Sequence, residues 1–389
     1  MTRLRPGAFD VATFLRDDWQ VRPRLIRNPW AAWTNPLDPD DLAGLACEGG
    51  VESRIVRQGR HGLKVEHGPF AEKRFAEPTK RPWTLLVQAV DHVVPEVAAL
   101  LDAFDFLPNW RIDDVMVSYA VDGGGVGAHF DNYDVFLVQG LGQRRWQVGG
   151  ACDAATPLLP HDDLRLLADF AATGDWLLEP GDILYVPPGI AHHGVAVGDD
   201  CMTYSIGCRA PSRADLIGHW CDDILDGLSD DDRFADPGLA AQANPGEISA
   251  EAITALHGLV TDKMLDRDAF VRWFGQYSST PKYADAARQP ATPMSLDGVR
   301  ARLADAAIVY RHPASRFAFV RRAARAVTLF VDGNSFECIG ETAAFAQRLC
   351  ASRRVEAGPK LMRSDAAMVL LGQLLDQGSL TLDRWHEQA

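Results

Sequence analysis

A His-x-Asp pair and one distant histidine constrain this chain more than any other feature. His129 and Asp131 stand in Ala128-His129-Phe130-Asp131-Asn132, and His192 follows sixty-one residues after the aspartate, in Pro187-Pro188-Gly189-Ile190-Ala191-His192. In a strand, residues i and i+2 point to one face, so His129 and Asp131 can share a metal from one strand end while Phe130 turns away. His192 must then come from a second strand lying beside the first, a demand that a barrel or jelly roll meets. Two histidines and one carboxylate leave the opposite face of a metal open, the arrangement used in non-haem Fe(II) and oxygen chemistry.

A lone His-x-Asp arises by chance, so the flanks matter. Gly123-Gly124-Gly125-Val126-Gly127 reads as a mobile loop feeding the ligand strand. It is no dinucleotide fingerprint, which has to follow a strand and open a helix. Val135 to Val138 is a short apolar strand, Gly140-Leu141-Gly142 a turn, and Arg144 to Val148 the next strand. Glu179-Pro180-Gly181-Asp182 is a tight turn, with Pro where φ is pre-set and Gly where φ turns positive. Asp182 to Val186 is a strand, and Pro187-Pro188-Gly189 is a second turn before His192.

This block resembles the cupin-like JmjC oxygenases, and within them the bacterial ribosomal oxygenases. The resemblance is carried by Val117-Ser118-Tyr119, by Gly123 to Asp131, by Tyr133 to Phe136, by Gln139 to Trp146, by Leu178 to Gly189 and by Tyr204 to Gly207. It is dense over residues 80–210 and extends upstream to Leu25 to Asn28 and His67 to Phe70. It implies an α+β chain: a double-stranded β-helix (jelly-roll, cupin/JmjC) catalytic domain over 1–210, a helical dimerisation region over 211–280 and a winged-helix domain over 281–389. It implies an Fe(II)- and 2-oxoglutarate-dependent dioxygenase that uses O2 to hydroxylate an arginine, at Cβ, of protein sixteen of the large ribosomal subunit. The near alternative is histidyl hydroxylation or another JmjC protein oxygenation. The distant one is an inert jelly-roll module that binds ribosomal components, although such a module gains nothing from an intact triad.

The resemblance also assigns roles. His129, Asp131 and His192 are its metal ligands, and His193 should face the other way by strand alternation. Arg144 matches the position that pairs with the far carboxylate of 2-oxoglutarate, a task suited to the planar guanidinium fork. Arg145 is then a solvated strand arginine on the opposite side. Ser118, and Thr203 or Ser205, are either further co-substrate contacts or ordinary inward-facing polar residues. Asp114, Met116 and Ser118 alternate on one strand and share a face. Asp114, Met116 and Tyr133 are candidates for the substrate pocket, offering a carboxylate to a guanidinium and walls to its stem. Otherwise Met116 is core and Asp114 a surface strand end.

His61, His67, His92, His161, His219, His257, His312 and His386 lack a partner at ligand spacing. The seven cysteines, Cys47, Cys152, Cys201, Cys208, Cys221, Cys338 and Cys350, include no Cys-x-x-Cys and are an odd, scattered set. That argues against a disulfide framework or a zinc site and for reduced thiols in a cytoplasm. No run of eighteen apolar residues predicts a membrane span, and Met1 to Pro6 lacks an apolar signal core. Net charge is −14, unevenly spread: residues 281–389 hold fifteen Lys or Arg against eleven Asp or Glu, a net of +4, so the first 280 carry −18. An acidic body disfavours phosphate backbones and suits a basic protein partner such as a ribosomal protein.

Helices are expected over Asp10 to Trp19, Asp38 to Ala46, Val93 to Phe104, Arg213 to Leu228, Ile248 to Leu259 and Lys263 to Tyr277. In the resembling family the last three serve a homodimer; the alternative is a helical layer packed on a monomer. Ser279 to Pro293 reads as a linker. Beyond it, Arg316 to Val320 and Val327 to Val331 are strand-like, and Glu341 to Cys350 and Asp365 to Asp376 helical. Arg316, Arg321, Arg322 and Arg325 raise the question of nucleic-acid contact; a structural role is favoured.

Overall fold

The computed structural model describes residues 4, 5, 7–59, 62–76, 81–283, 295–305 and 308–382. Nine strands make one sheet: β1 (Arg24–Ile26), β2 (Ser53–Gly59), β3 (Gly62–His67), β4 (Trp83–Val87), β5 (Ile112–Ala120), β6 (Val135–Ala151), β7 (Gly174–Leu178), β8 (Ile183–Val186) and β9 (Ile190–Cys208). Their order is β1-β8-β6-β9-β5-β4-β2-β3, with β7 paired to β6. The long strands β6 and β9 run antiparallel from Val135 opposite Gly207 to Ala151 opposite Ile190. Strands β1 to β3 join the same sheet, which therefore reaches upstream of residue 80.

Gly140-Leu141-Gly142 is not a turn between two strands. It is an irregularity inside β6, where the register against β9 shifts between Gln139 and Leu141 and again before Gln143. Gly142 has φ +61, and a Cβ there would lie 2.7 Å from the Asp200 carbonyl oxygen. Glycine lets the strand kink at this point without losing its partner.

Strand alternation divides residues between two environments. On β5, Val115 and Val117 enter the main core, whereas Asp114, Met116 and Ser118 line a cavity on the opposite face. On β9, Tyr204 and Ile206 are core, and Thr203 and Ser205 face the cavity. On β6, Phe136 and Val138 are core, and Val135, Leu137, Arg144 and Trp146 face the cavity. The N-terminal helix Val11–Asp17 closes the core; its cap Asp10 accepts the Thr13 N–H at 3.1 Å. Phe14 of that helix packs against Phe136 and Tyr185, with ring centroids 5.7 and 4.9 Å apart. Each such buried ring contributes about 1.5–3 kcal/mol.

The helix expected over Val93 to Phe104 is instead one α turn, Pro95–Ala98, continued as a 3-10 helix over Ala99–Phe104. Val97, Leu100 and Ala103 all pack on the core, and that spacing of three is the 3-10 period rather than the α period.

Three helices follow the barrel: Arg213–Asp226, Ala250–Met264 and Arg267–Ser279. Ser212 and Asp215 form a reciprocal capping box at the start of the first. The last third of the chain has its own core around Leu303, Phe317, Phe345, Leu349 and Leu371. It contains the helix Leu296–Asp305, a three-stranded sheet of Phe317–Ala323, Ala326–Val331 and Asn334–Ile339, and the helices Glu341–Ala351 and Asp365–Asp376. Its arginines are engaged within the protein: Arg316 pairs with Asp113 at 2.9 Å, Arg322 with Asp268 at 3.2 Å, and Arg321 donates to Gln347 at 2.8 Å. Arg325 lies 3.9 Å from Glu341. The expected linker begins where a helix ends at Ser279, and its residues 284–294 lie outside the described residues.

Candidate metal centre

His129 and Asp131 do not sit on the end of a regular strand as expected. The segment from Val121 to Asp134 is irregular, and His129 makes a single isolated bridge to His192 on β9. The glycine-rich stretch before it is tied down rather than free: Gly123 N–H donates to Ala196 O, and Ala196 N–H donates to Gly124 O. A Cβ on Gly125 would lie 2.5 Å from the Gly194 carbonyl oxygen, so only glycine lets the ligand segment lie this close to β9. The i, i+2 relation survives the irregular backbone. Phe130 is buried against Leu167 and Ala191 while its two neighbours meet His192.

The ligand atoms of His129, Asp131 and His192 lie within 4.8 Å of one another, the one such group among the described residues. His192 Nε2 is 3.6 Å from Asp131 Oδ2. Both imidazoles are oriented through their other nitrogen: His129 Nδ1 bonds Gly127 O and His192 Nδ1 bonds Ile190 O, each at 3.0 Å. That leaves both Nε2 atoms turned to the common centre, the usual way a backbone carbonyl fixes a metal-binding tautomer. Burial first, and then neighbouring His129, push His192 below its ordinary value, against the pull of Asp131. A neutral imidazole keeps its lone pair for a metal. Gly189 N–H donates to Asp131 O at 2.7 Å, which ties the turn before β9 to the carboxylate ligand.

The three open into a cavity of about 600 Å³. Arg144, Ser118, Thr203, Ser205, Asp114, Met116 and Tyr133, each singled out from sequence, all line it. His193 turns away against Phe170, and Arg145 is solvated and paired with Asp175 at 2.8 Å, as alternation requires. Arg144 is 3% exposed. Its Nε meets only the Cys201 sulfur, at 3.5 Å, and its Nη2 has no hydrogen-bond partner. Thr84 Oγ1 and Trp146 Nε1, on the same cavity, are likewise buried and unpartnered. Leaving such groups unsatisfied costs about 1–3 kcal/mol each, more for a charge. A cavity that holds an orphaned guanidinium beside an open metal triad fits a dicarboxylate bound between them.

Asp114 is not a surface strand end. It is 3% exposed and accepts from Gln88 Nε2 at 2.9 Å and from Lys282 Nζ at 2.8 Å. Tyr133 is 42% exposed at the cavity mouth. Burial, then the Asp131 charge and a hydrogen bond to it, push its hydroxyl above the ordinary value, so it stays protonated. Sequence reasoning missed Gln88, Lys282, Trp146 and Thr84. Trp146 lay in a segment that carried the family resemblance, but the other three had no spacing that marks them.

Known proteins fit this geometry. A JmjC domain model matches residues 99–216, and a ROXA-like winged-helix model matches 258–381. The ribosomal protein uL16 3-hydroxylase of Escherichia coli strain K12 is 39% identical over 286 residues, 74% of this chain and 76% of that protein. This chain belongs to the JmjC ribosomal oxygenases. A probable ribosomal oxygenase of Haemophilus influenzae is 39% identical over 277 residues, 68% of this chain and 66% of that protein. Among solved ribosomal oxygenases, the E. coli protein YcfD in complex with cobalt and 2-oxoglutarate superposes with a TM-score of 0.84 at 31% identity, covering 98% of this chain and 99% of that one. YcfD in complex with cobalt and succinic acid superposes with a TM-score of 0.82 at 30% identity, over the same shares of the two chains. The jelly-roll and winged-helix architecture expected of this ribosomal oxygenase is thereby shown. Among the described residues, no helix is long and apolar enough to cross a membrane.

Proposed function

We propose that this protein is an Fe(II)- and 2-oxoglutarate-dependent oxygenase that hydroxylates an arginine, at Cβ, of the large-subunit ribosomal protein uL16. The observation that carries the reading is one cavity holding the His129, Asp131 and His192 ligand atoms together with the unpartnered Nη2 of Arg144. Fe(II) with 2-oxoglutarate and O2 supplies the oxidising chemistry, in which one oxygen atom goes to the substrate carbon and the other to succinate as CO2 leaves.

The chain's own residues bind and orient. His129, Asp131 and His192 take one face of the metal and leave the other to the co-substrates. Arg144 pairs with the far carboxylate of 2-oxoglutarate, with Ser118, Thr203 and Ser205 beside it. Thr203 already donates its hydroxyl to Gln139 Oε1 at 3.2 Å, which fixes that side chain before any ligand arrives. Asp114 receives the substrate guanidinium, and Met116 and Tyr133 flank its stem. A buried carboxylate favours a cationic side chain over a neutral imidazole, which weighs for arginine against histidine.

A homodimer completes the proposal. The helix Ala250–Met264 buries none of its residues, and Ile253, Leu256, Leu259, Val260 and Met264 are exposed on it. An apolar face this extensive needs a cover, and a second copy supplies a matching one. The seven cysteines are unpaired, which suits the reducing cytoplasm where ribosomes are made.

The experiment is to purify the protein with Fe(II) and 2-oxoglutarate in air, add uL16, and measure succinate. Succinate formed in step with hydroxylated uL16 supports the reading. No 2-oxoglutarate consumption under any condition turns the protein into a binding module.

A further inference from the structure

Lys282 lies seventy-four residues beyond the last barrel strand, yet its side chain reaches into the metal cavity. Its ammonium sits 2.8 Å from Asp114 Oδ2 and 3.0 Å from Asp113 Oδ2. The two carboxylates differ in what else holds them. Asp113 also pairs with Arg209 at 3.0 Å and Arg316 at 2.9 Å. Asp114, among the described residues, has Lys282 as its one salt-bridge partner; its other donor, Gln88, is neutral.

We infer that Lys282 is an internal stand-in for the substrate cation, holding Asp114 in the free protein and leaving it when a substrate guanidinium arrives. This rests on the reading of Asp114 as the guanidinium acceptor.

Three physical points argue for the exchange. A buried carboxylate left without a cation is strongly destabilising, so the empty pocket needs an occupant. Lys282 meets that need while keeping 28% of its side chain exposed, so a short swing returns its ammonium to water. Asp113 loses little when it leaves, because two arginines remain. The newcomer binds better than the occupant: a planar guanidinium reaches both carboxylate oxygens at once, whereas an ammonium is a point charge. Burial pulls Lys282 down, but Asp114 and Asp113 more than restore it and hold it charged. A neutral side chain cannot make the exchange, since it would leave Asp114 buried with no cation. The stand-in also lowers apparent substrate affinity by the fraction of time the subsite is filled.

The first test needs no metal. Lys282 is labelled with an amine-acylating reagent in the full chain, and its labelling rate is read by peptide mass spectrometry with and without N-acetylarginine methylamide. The neutral isostere N-acetylcitrulline methylamide is the control. Labelling of Lys282 should rise several-fold with the arginine compound and not with the citrulline one. Unchanged or reduced labelling with the arginine compound overturns the exchange. The second test compares wild type with Lys282→Gln on an arginine peptide of uL16. KM should fall about five-fold or more, with the gain in KM rather than in kcat. An equal or higher KM overturns the exchange while leaving the hydroxylase reading intact. No hydroxylation of the peptide, with labelling that still answers to the arginine compound, sinks the uL16 reading and keeps the exchange.

Discussion

His129 and His192 are bound to each other through their backbones: His129 N–H donates to His192 O at 3.0 Å, and His192 N–H donates to His129 O at 2.8 Å. This two-way bridge joins an irregular segment to a 19-residue strand, and it sets the two imidazole centroids 4.3 Å apart. Both ligands are therefore positioned by main-chain bonds that no side-chain replacement removes.

The consequence is a clean separation of metal binding from folding. His129→Ala or Asp131→Ala should weaken binding of Mn(II), an oxygen-stable probe for the site, by more than about 100-fold, beyond the loss typical of a partner outside the ligand set. The melting temperature of the metal-free protein should hardly move. Equilibrium dialysis and a thermal melt on the same samples check it; a variant that retains full Mn(II) affinity removes that residue from the ligand set.

Arg144 is a buried cation with a free nitrogen, so its loss should harm binding more than folding. Arg144→Met should lower the affinity of the Mn(II)-loaded protein for 2-oxoglutarate by at least about 100-fold, the scale of a lost buried charge pair. Arg144→Lys should fall between, because it restores the charge without the fork. Calorimetric titration with 2-oxoglutarate decides it, and equal affinity in wild type and Arg144→Met would remove Arg144 from the co-substrate site.

His92 gives a pH signature at the junction of the barrel and the C-terminal region. Burial, then the charges of Arg316 and Lys282, push it down to about 4 from 6.5, against the pull of Asp113 and with a further push from His312. The native state thus takes its proton only near pH 4, whereas the unfolded chain takes it near 6.5. Stability present above the unfolded value is lost as pH falls from 6.5 towards 4. His92→Gln removes this loss, so across that window the variant should gain about 2–3 kcal/mol relative to wild type. Urea unfolding at the two ends of the window measures it; a difference that does not change with pH contradicts the assignment.

The exposed helix Ala250–Met264 makes the assembly testable. Ile253→Glu with Leu256→Glu should convert a dimer to a monomer, because charge replaces apolar contact on a face that the monomer leaves open. Neither residue is buried, so the fold should survive. Light scattering on the eluting protein reads the mass, and a wild type that is already monomeric ends the dimer proposal.

Much of the site was legible because its geometry is periodic. Period two put Asp114, Met116 and Ser118 on one face of β5 and turned Arg145 and His193 away from the cavity, as the structure has them. The errors came where glycine departs from that period. Gly140 to Gly142 reads as a turn because glycines punctuate loops, yet here they let one strand kink while keeping its partner. The stretch before His129 reads as mobile for the same reason, yet its glycines permit close contact with β9. Lys282 was invisible for a different cause. Its pairing with Asp114 spans 168 residues and depends on how the chain returns across the barrel mouth, which no local pattern encodes. The sequence alone likewise leaves open whether Asp114 lines the pocket or ends a strand at the surface, because burial by distant segments leaves no mark on its neighbours.

The most direct test of the central claim is the mass of an arginine-bearing uL16 peptide after incubation with the protein, Fe(II), 2-oxoglutarate and O2. A gain of one oxygen atom, located on the arginine Cβ by fragmentation and absent with His129→Ala, is the predicted result. An unmodified peptide in the presence of active 2-oxoglutarate turnover would contradict it.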